Sequence, residues 1–363
     1  MKAFKSAHRA LCANYKLKPR FVFYYTLIFQ LLLSNVASAK TQIERSLTLT
    51  SLKALDRRDT TAYQSLLNFV ITHNRWNFNI EAFLNSEPIV DANAISTRDT
   101  NGEIQFSEFY YKFDVRGSTW SIGLIDITTM FDTSSQTNDE TTQFVNSDLV
   151  NNPTIEFPDY TLGVAVSGKV KNIEWSLVLA GSHGKGDNEK NNYKQLFELE
   201  AEGKGIFAAG EVSFVLGSVQ SRFGLWINNS DHDALLGNKV HLHNYGIYAV
   251  VEGKAGSFAW SGRVGAANKE VSEAGTFVSL GGEMPLGKGY LGIGVAYTSL
   301  ADDAVTTNKG DRTSTELYYK YKLGKTLRLT PSVQWVKNVD FDSSNVGVDN
   351  NTVIVGLRLG FTF

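Results

Sequence analysis

The chain contains little cysteine and little proline, one and six respectively among its 363 residues. The single cysteine, Cys12, lies in an amino-terminal segment that we expect to be removed, so the mature protein would contain no thiol. A disulfide scaffold and a thiolate nucleophile are therefore excluded. Because proline interrupts backbone pairing inside sheets, its scarcity favours a chain built of many strands.

Long apolar runs are also lacking. The run at residues 21–33 is short of the ~20 residues that a helix needs to span a bilayer, and no other run approaches ~18. It follows a cationic stretch and precedes the small residues Ala37, Ser38 and Ala39, which is typical of a signal peptide. We interpret residues 1–39 as a cleaved export signal, with an uncleaved anchor as the less favoured alternative.

A surplus of positive charge is absent as well. Removal of six lysines and arginines with the signal changes the formal net charge from −2 to −8, which leaves no basic surface for nucleic acid. The chain has six histidines, one of them in the signal, and no Gly-x-Ser-x-Gly elbow, so we find no convincing nucleophile and base. We predict no enzymatic activity, no cofactor and no metal site.

The sequence is instead rich in two-residue alternation, most clearly in residues 352–363. Every second residue there is apolar, and a soluble protein seldom leaves such an edge unprotected. A closed transmembrane barrel removes the edge and exposes the apolar face to lipid. We expect Arg358 to point into the pore, the last strand to pair with residues 76–85, and Phe361 and Phe363 to form an assembly signal at the periplasmic rim.

Fourteen segments share this alternation. Tight turns and long polar loops alternate between them, as in outer-membrane barrels with short periplasmic turns and long extracellular loops. We predict an all-β fold, a transmembrane antiparallel β-barrel of about 14 strands, with 16 strands as the alternative. The strands of a soluble sandwich would also alternate. A sandwich would not explain the export signal and the aromatic residues near the strand ends. The predicted strands are 76–85, 103–115, 118–131, 159–170, 173–184, 205–216, 218–229, 243–254, 257–268, 276–286, 289–300, 312–324, 327–338 and 352–363.

Residues 40–75 do not show the strand pattern clearly. Several apolar residues, among them Leu52, Leu66 and Val70, recur at roughly helical spacing. We interpret this stretch as an amino-terminal periplasmic extension, with a helix that plugs the pore as the alternative. The predicted domains are thus the signal at 1–39, the extension at 40–75 and the barrel at 76–363.

Several motifs resemble the carbohydrate-selective outer-membrane porins, the OprB-like family. They are the acidic, asparagine-rich residues 132–158 (DTSSQTNDETTQFVNSDLVNNPTIEFP) with the following YTLGV, then YGIY at 245–248 with Glu252, ELYY at 316–319, LTPSVQW at 329–335 and GLRL at 356–359. The resemblance covers most of residues 103–363. It implies a barrel in the outer membrane of a Gram-negative bacterium through which small sugars diffuse, and this chain would be a short member.

Strand parity assigns polar and aromatic side chains to the lumen. Carboxylates and guanidinium groups can bind several sugar hydroxyls, and aromatic rings can face a sugar ring, although a water-filled lumen would also be charged. The pore-lining candidates are Glu108, Tyr110, Lys112, Arg222, Trp226, Arg263, Glu316, Lys320, Arg328, Gln334 and Arg358. The candidates for a constriction loop are Asp132, Asp139, Glu140 and Asp148.

The predicted function is passive or facilitated diffusion of small hydrophilic solutes, with carbohydrates favoured. The alternatives are a general porin without sugar preference and a non-conducting barrel with a structural or enzymatic role. The expected partners are outer-membrane lipid, the barrel-assembly machinery and small sugars, with no nucleic acid. A homo-oligomer stays open, because lipid-facing and subunit-facing apolar residues look alike in a sequence.

Overall fold

The chain forms a closed antiparallel β-barrel in the computed structural model. The structure describes residues 41–55, 61–86, 103–187, 193–197, 203–237, 240–301, 310–338 and 351–363, so the predicted signal lies outside the described residues. Among them are sixteen strands, each paired with its sequence neighbours. The strands are β1 (Thr41–Ala54), β2 (Thr61–His73), β3 (Trp76–Asn85), β4 (Glu103–Val115), β5 (Ser118–Ile125), β6 (Thr161–Val170), β7 (Ile173–Gly181), β8 (Ile206–Leu216), β9 (Val219–His232), β10 (Leu242–Ala255), β11 (Phe258–Ala267), β12 (Ala274–Leu286), β13 (Gly289–Leu300), β14 (Arg312–Leu323), β15 (Leu327–Lys337) and β16 (Asn351–Thr362).

The strand number is the predicted alternative of 16 and not the preferred 14. All fourteen predicted segments correspond to β3–β16, and the two additional strands lie in residues 40–75. The expected extension or helix there is therefore wrong, and the barrel begins before residue 76. In β2, Leu66 faces the lumen while Leu67 faces outward beside Leu47 of β1, so apolar residues occupy both faces and obscure the alternation.

The closing seam also differs from the expected one. β16 pairs with β15 on one side and with β1 on the other, where Leu52 lies opposite Gly356. The predicted partner, β3, pairs instead with β2 and β4. Because β1 and β2 are added, the barrel closes between β1 and β16 and not between β3 and β16. The predicted pairing of each strand with the next one, from β3 through to β16, is unchanged.

Tight turns join the strands at one rim. Residues with positive φ occur in these turns, for example Asn74 between β2 and β3 and Arg116 with Gly117 between β4 and β5. The left-handed backbone there fits the two-residue connections that suit the twist of paired strands. No helix within the described ranges is long and apolar enough to cross a bilayer.

One long connection folds into the barrel. We call residues 126–160, between β5 and β6, the inner loop. It contains a 3-10 helix at Ile127–Thr129 that is capped by Asp126 and a helical turn at Ser147–Val150 that is capped by Asn146. Most of its apolar side chains are buried against the inner wall, and this layer gives the barrel a core on the side of β6–β14.

Candidate functional site

Arg263 on β11 binds the inner loop at several points. Its side chain is 1% exposed and its terminal nitrogens donate five hydrogen bonds of 2.6–3.2 Å to the loop. Its Nε also lies 3.5 Å from a carboxylate oxygen of Asp132. The five acceptors are the carbonyl oxygens of Asp132, Thr137, Leu149 and Val150 and the side-chain oxygen of Asn138. A buried guanidinium with this many acceptors fixes two separate parts of the loop to one strand.

Arg358 and Glu316 hold the middle of the inner loop. Arg358 on β16 donates to the carbonyl oxygens of Glu140 and Gln143 at 2.5 and 2.6 Å. The carboxylate of Glu316 on β14 accepts the backbone N–H groups of Val145 and Asn146 at 2.9 and 2.8 Å. Both wall side chains are almost fully buried. They bind backbone groups and would therefore hold the loop whatever its local sequence.

A further anchor involves the helical turn of the inner loop. Asp148 is buried and accepts hydrogen bonds from Arg312 at 2.8 Å and from Ser314 at 2.7 Å. On the other side of the loop, Glu252 accepts from the backbone and hydroxyl of Ser135. Acidic and basic groups of the wall thus both bind the loop directly.

Two glycines make room for the apolar side chains of the loop. A Cβ atom at Gly294 on β13 would lie 2.9 Å from side-chain atoms of Leu149 and of Phe144. At Gly281 on β12 it would lie 2.9 Å from Thr137 and 3.2 Å from Phe144. Phe144 also meets Tyr318 edge to face, with ring centroids 5.0 Å apart. The loop can pack this closely against the wall because these two wall residues are glycines, which have no side chain.

The structure divides the predicted pore-lining residues into two groups. Arg263, Glu316, Gln334 and Arg358 contact the inner loop and are covered by it. Trp226 also points inward, but it is 2% exposed and stacks on Phe207, so it has no face open to a sugar ring. These five were expected to line the open pore, and they are instead behind the loop, because parity gives the direction of a side chain but not what covers it.

The other candidates are more open. Glu108, Tyr110 and Lys112 follow one another on the inner face of β4, and Tyr110 and Lys112 line a polar cavity of about 290 Å³. A guanidinium nitrogen of Arg222 on β9 lies 3.4 Å from a carboxylate oxygen of Glu252. Arg222 also lines a second cavity of about 450 Å³, together with Glu174 and other polar groups. Lys320 pairs with Glu283, and Arg328 reaches the hydroxyl of Thr362 at the end of β16.

The constriction candidates differ in the same way. Asp132 and Asp148 are buried anchors, whereas Asp139 and Glu140 are partly exposed at the bend of the loop. Burial raises the pKa of Asp132 to about 6, although Arg263 opposes the shift. Loss of water raises the pKa of Glu140 to about 7, and the adjacent Asp139 adds to this increase.

Sequence reasoning missed several loop anchors. Arg312, Ser314 and Glu252 have inward parity on their strands, which was the available signal, but parity does not identify the loop atoms they bind. Among the described residues, no group of three or more histidine, cysteine, aspartate or glutamate side chains could hold a metal ion.

A barrel of sixteen antiparallel strands with a long loop bound inside its lumen defines the porin class of outer-membrane channels. The family model of carbohydrate-selective porins, OprB family, matches residues 71–363. The chain belongs to this family, and it is an outer-membrane porin through which small hydrophilic solutes, carbohydrates among them, diffuse. The suspected family is thereby confirmed.

Individual relatives agree with this assignment. An uncharacterized protein of Aquifex aeolicus is 27% identical over 289 residues, which covers 78% of this chain and 77% of the relative. The fold is similar to a high-pH structure of Pseudomonas putida OprB, with a TM-score of 0.72 and 14% identity over 89% of this chain and 94% of that one. A triple mutant of Rhodopseudomonas blastica porin matches with a TM-score of 0.56 and 14% identity over 89% and 100% of the chains.

Proposed function

We propose that the inner loop is the constriction of this channel, and that small carbohydrates pass between the loop and the opposite wall formed by β2–β5. The observation that carries this proposal is the set of loop anchors on one side of the barrel, centred on Arg263 and Arg358. Because most of the loop's anchors lie on β8–β16, the remaining lumen would lie along the other strands. Solute size would be limited by the distance between loop and wall.

A general porin without sugar preference is the second candidate. It is favoured by the burial of Trp226, which removes the strongest aromatic candidate for stacking on a sugar. Polar and charged groups such as Lys112 and Arg222 would then only keep the lumen hydrated.

Current through single channels in planar bilayers distinguishes these candidates. A sugar-binding channel should conduct ions and show a concentration-dependent decrease of current when glucose is added. An open channel whose current does not respond to glucose would support the general porin. Absence of an open pore in correctly assembled protein would contradict both and support a non-conducting barrel.

We further propose that residues 1–39 are removed on export and that the barrel-assembly machinery reads the aromatic carboxyl-terminal strand. Phe361 and Phe363 support this, since Phe363 is 59% exposed and its backbone N–H bonds only to the carbonyl of Arg45 at the rim. The continuous apolar outer face would accept lipid or another copy of the chain.

Protein isolated from outer membranes tests both steps of this proposal. The mature protein should begin at Lys40 by mass spectrometry. Deletion of Phe363 should lower the amount of assembled protein while the conductance of each remaining channel stays the same. A mature chain that retains residues 1–39, or normal membrane levels with an altered channel, would contradict the corresponding step.

A further inference from the structure

The tight turns at one rim of the barrel carry charge of a single sign. Seven such turns lie in the described part of the chain, each joining an even-numbered strand to the next one. Five of them contain one lysine or arginine, and none of the seven contains aspartate or glutamate. The whole chain has a formal net charge of −2, so composition does not explain this pattern. The five basic residues, which we call the turn cations, are Arg75, Arg116, Lys171, Lys288 and Lys325.

We propose that the turn cations form an interaction surface for anionic phospholipid headgroups in the membrane leaflet at this rim. In outer-membrane barrels the short turns face the periplasm, so this is the inner leaflet. Anionic headgroups attract lysine and arginine side chains that lie close to a membrane surface.

The turn cations are available to a ligand. All five are exposed. Within the described residues, none of their side chains forms an ion pair or a hydrogen bond. Two lysines on the strands nearby differ from them, because Lys169 is paired with Glu174 and Lys320 with Glu283. The strands thus neutralise part of their own positive charge, and the turns do not.

Lipid-facing apolar residues lead directly into the basic turns. Val170 is exposed on the outer face at the end of β6, and Lys171 is the next residue. Leu323 is exposed in the same way at the end of β14, two residues before Lys325. Acyl chains must cover these apolar side chains, so the polar residues that follow lie at the level of the headgroups. Val115 before Arg116 and Leu286 before Lys288 repeat the arrangement.

Aromatic residues mark the same level of the membrane. Trp76 directly follows Arg75 and packs against Tyr111, with ring centroids 4.9 Å apart. On another part of the rim, the hydroxyl of Tyr319 donates to the carbonyl oxygen of Leu286 at 2.9 Å, beside the turn between β12 and β13. Tryptophan and tyrosine concentrate where acyl chains meet headgroups. The long side chains of the turn cations lie just beyond these rings and can extend to the phosphates.

The distribution of the turn cations favours lipid over an acidic protein. Three of them follow one another on the turns from β2 to β7, and two lie on the turns from β12 to β15. They are thus separate positions around the barrel and not one compact patch. Several small ligands that surround the barrel match such positions, and the apolar outer face provides the acyl-chain part of each site.

Quenching of tryptophan fluorescence by brominated lipids tests the proposal in the isolated channel. Vesicles contain phosphatidylcholine and phosphatidylglycerol, and bromine is placed on the acyl chains of one lipid at a time. Trp76, Trp120 and Trp175 lie on strands that meet this rim and report on adjacent lipid. Each cation should enrich the anionic lipid roughly fivefold at its own site. Averaged with lipid elsewhere, we expect enrichment of about threefold at low salt, and none at 1 M salt, where screening acts within ~3 Å.

Two double variants locate the effect. Lys288→Gln with Lys325→Gln removes two turn cations and should lower the enrichment from about threefold to about twofold. Lys322→Gln with Arg328→Gln is the matched control, with the same change of charge at the same rim. These two side chains face the lumen, where Lys322 lies 5.4 Å from the ring centroid of Tyr290 and Arg328 reaches Thr362. The control should retain the threefold enrichment.

Two results would overturn the proposal. One is equal quenching by the two lipids in the unmodified channel, which would leave an acidic protein as the partner of the turns. The other is an equal loss of enrichment in the two double variants, which would assign the effect to total charge. If a double variant does not assemble, as judged by its shift on unheated gels, Lys325→Gln and Lys322→Gln are compared instead. The lipid preference does not depend on the proposed constriction, because it is measured without any solute.

Discussion

The two sides of the lumen use similar polar side chains for different purposes. On β9–β16, residues such as Arg263, Glu316 and Arg358 are buried and bind the inner loop. On β2–β4, Glu81 and Glu108 accept hydrogen bonds from Tyr160 and from the backbone of Asp126 at the two ends of the loop, and the buried side-chain oxygens of Asn68 and Asn79 have no partner among the described residues. The difference teaches that inward orientation alone does not make a residue pore-lining. The first wall binds the middle of the inner loop, and the second binds its two ends.

Replacement of Arg263 should have the largest effect on the side of the lumen that binds the inner loop. In Arg263→Met, the carbonyl oxygens of the loop and the Asp132 carboxylate lose their partner while they are buried. Breaking such an ion pair costs about 3–5 kcal/mol, so the loop should detach from β11. We expect a higher single-channel conductance and a lower temperature for unfolding in detergent.

A second arginine of the same barrel provides the control for that experiment. Arg328 also points inward, but within the described part of the chain its hydrogen bond is to the hydroxyl of Thr362 near the rim. Arg328→Met should change conductance and unfolding temperature little. Equal effects of the two substitutions, or normal conductance in assembled Arg263→Met, would show that Arg263 does not hold the loop.

Titration of Glu140 should have a smaller effect, on charge selectivity alone. With a pKa of about 7, this loop carboxyl is neutral below pH 7 and negative above it. The preference for potassium over chloride should therefore increase between pH 6 and pH 8. Reversal potentials measured across a salt gradient give this preference directly.

Glu140→Gln should reduce the step in selectivity near pH 7. Glu174→Gln is the matched control, because Glu174 is 56% exposed and paired with Lys169 at the rim. It should retain the step. A titration that is identical in the unmodified channel and in Glu140→Gln would exclude Glu140 as the group responsible.

Alternation of residue types was enough to predict most of the wall. The fourteen segments correspond to β3–β16, and the long acidic stretch that folds inward was identified by its composition and length. β1 and β2 were missed for a physical reason: Arg45 and Lys53 on the outer parity of β1 and Leu66 on the inner parity of β2 contradict a simple two-sided pattern.

The candidate site was harder to predict than the fold. Parity correctly placed Arg263, Trp226 and Arg358 on the inner face but could not reveal that the inner loop covers them. Conversely, Asn68 and Glu81 were not candidates, because β2 was not recognised and β3 was not analysed for its polar face. Which wall a loop binds depends on contacts between residues far apart in the chain, and a local pattern does not contain them.

The seam between β1 and β16 has a consequence for biogenesis. Its paired residues, from Ala54 with Ile354 to Ser46 with Thr362, are 300 to 316 positions apart in the chain. Until they meet, each end of the sheet has a row of unsatisfied backbone groups that lipid cannot accommodate. A chain that lacks either β1 or β16 therefore cannot close the barrel through this seam.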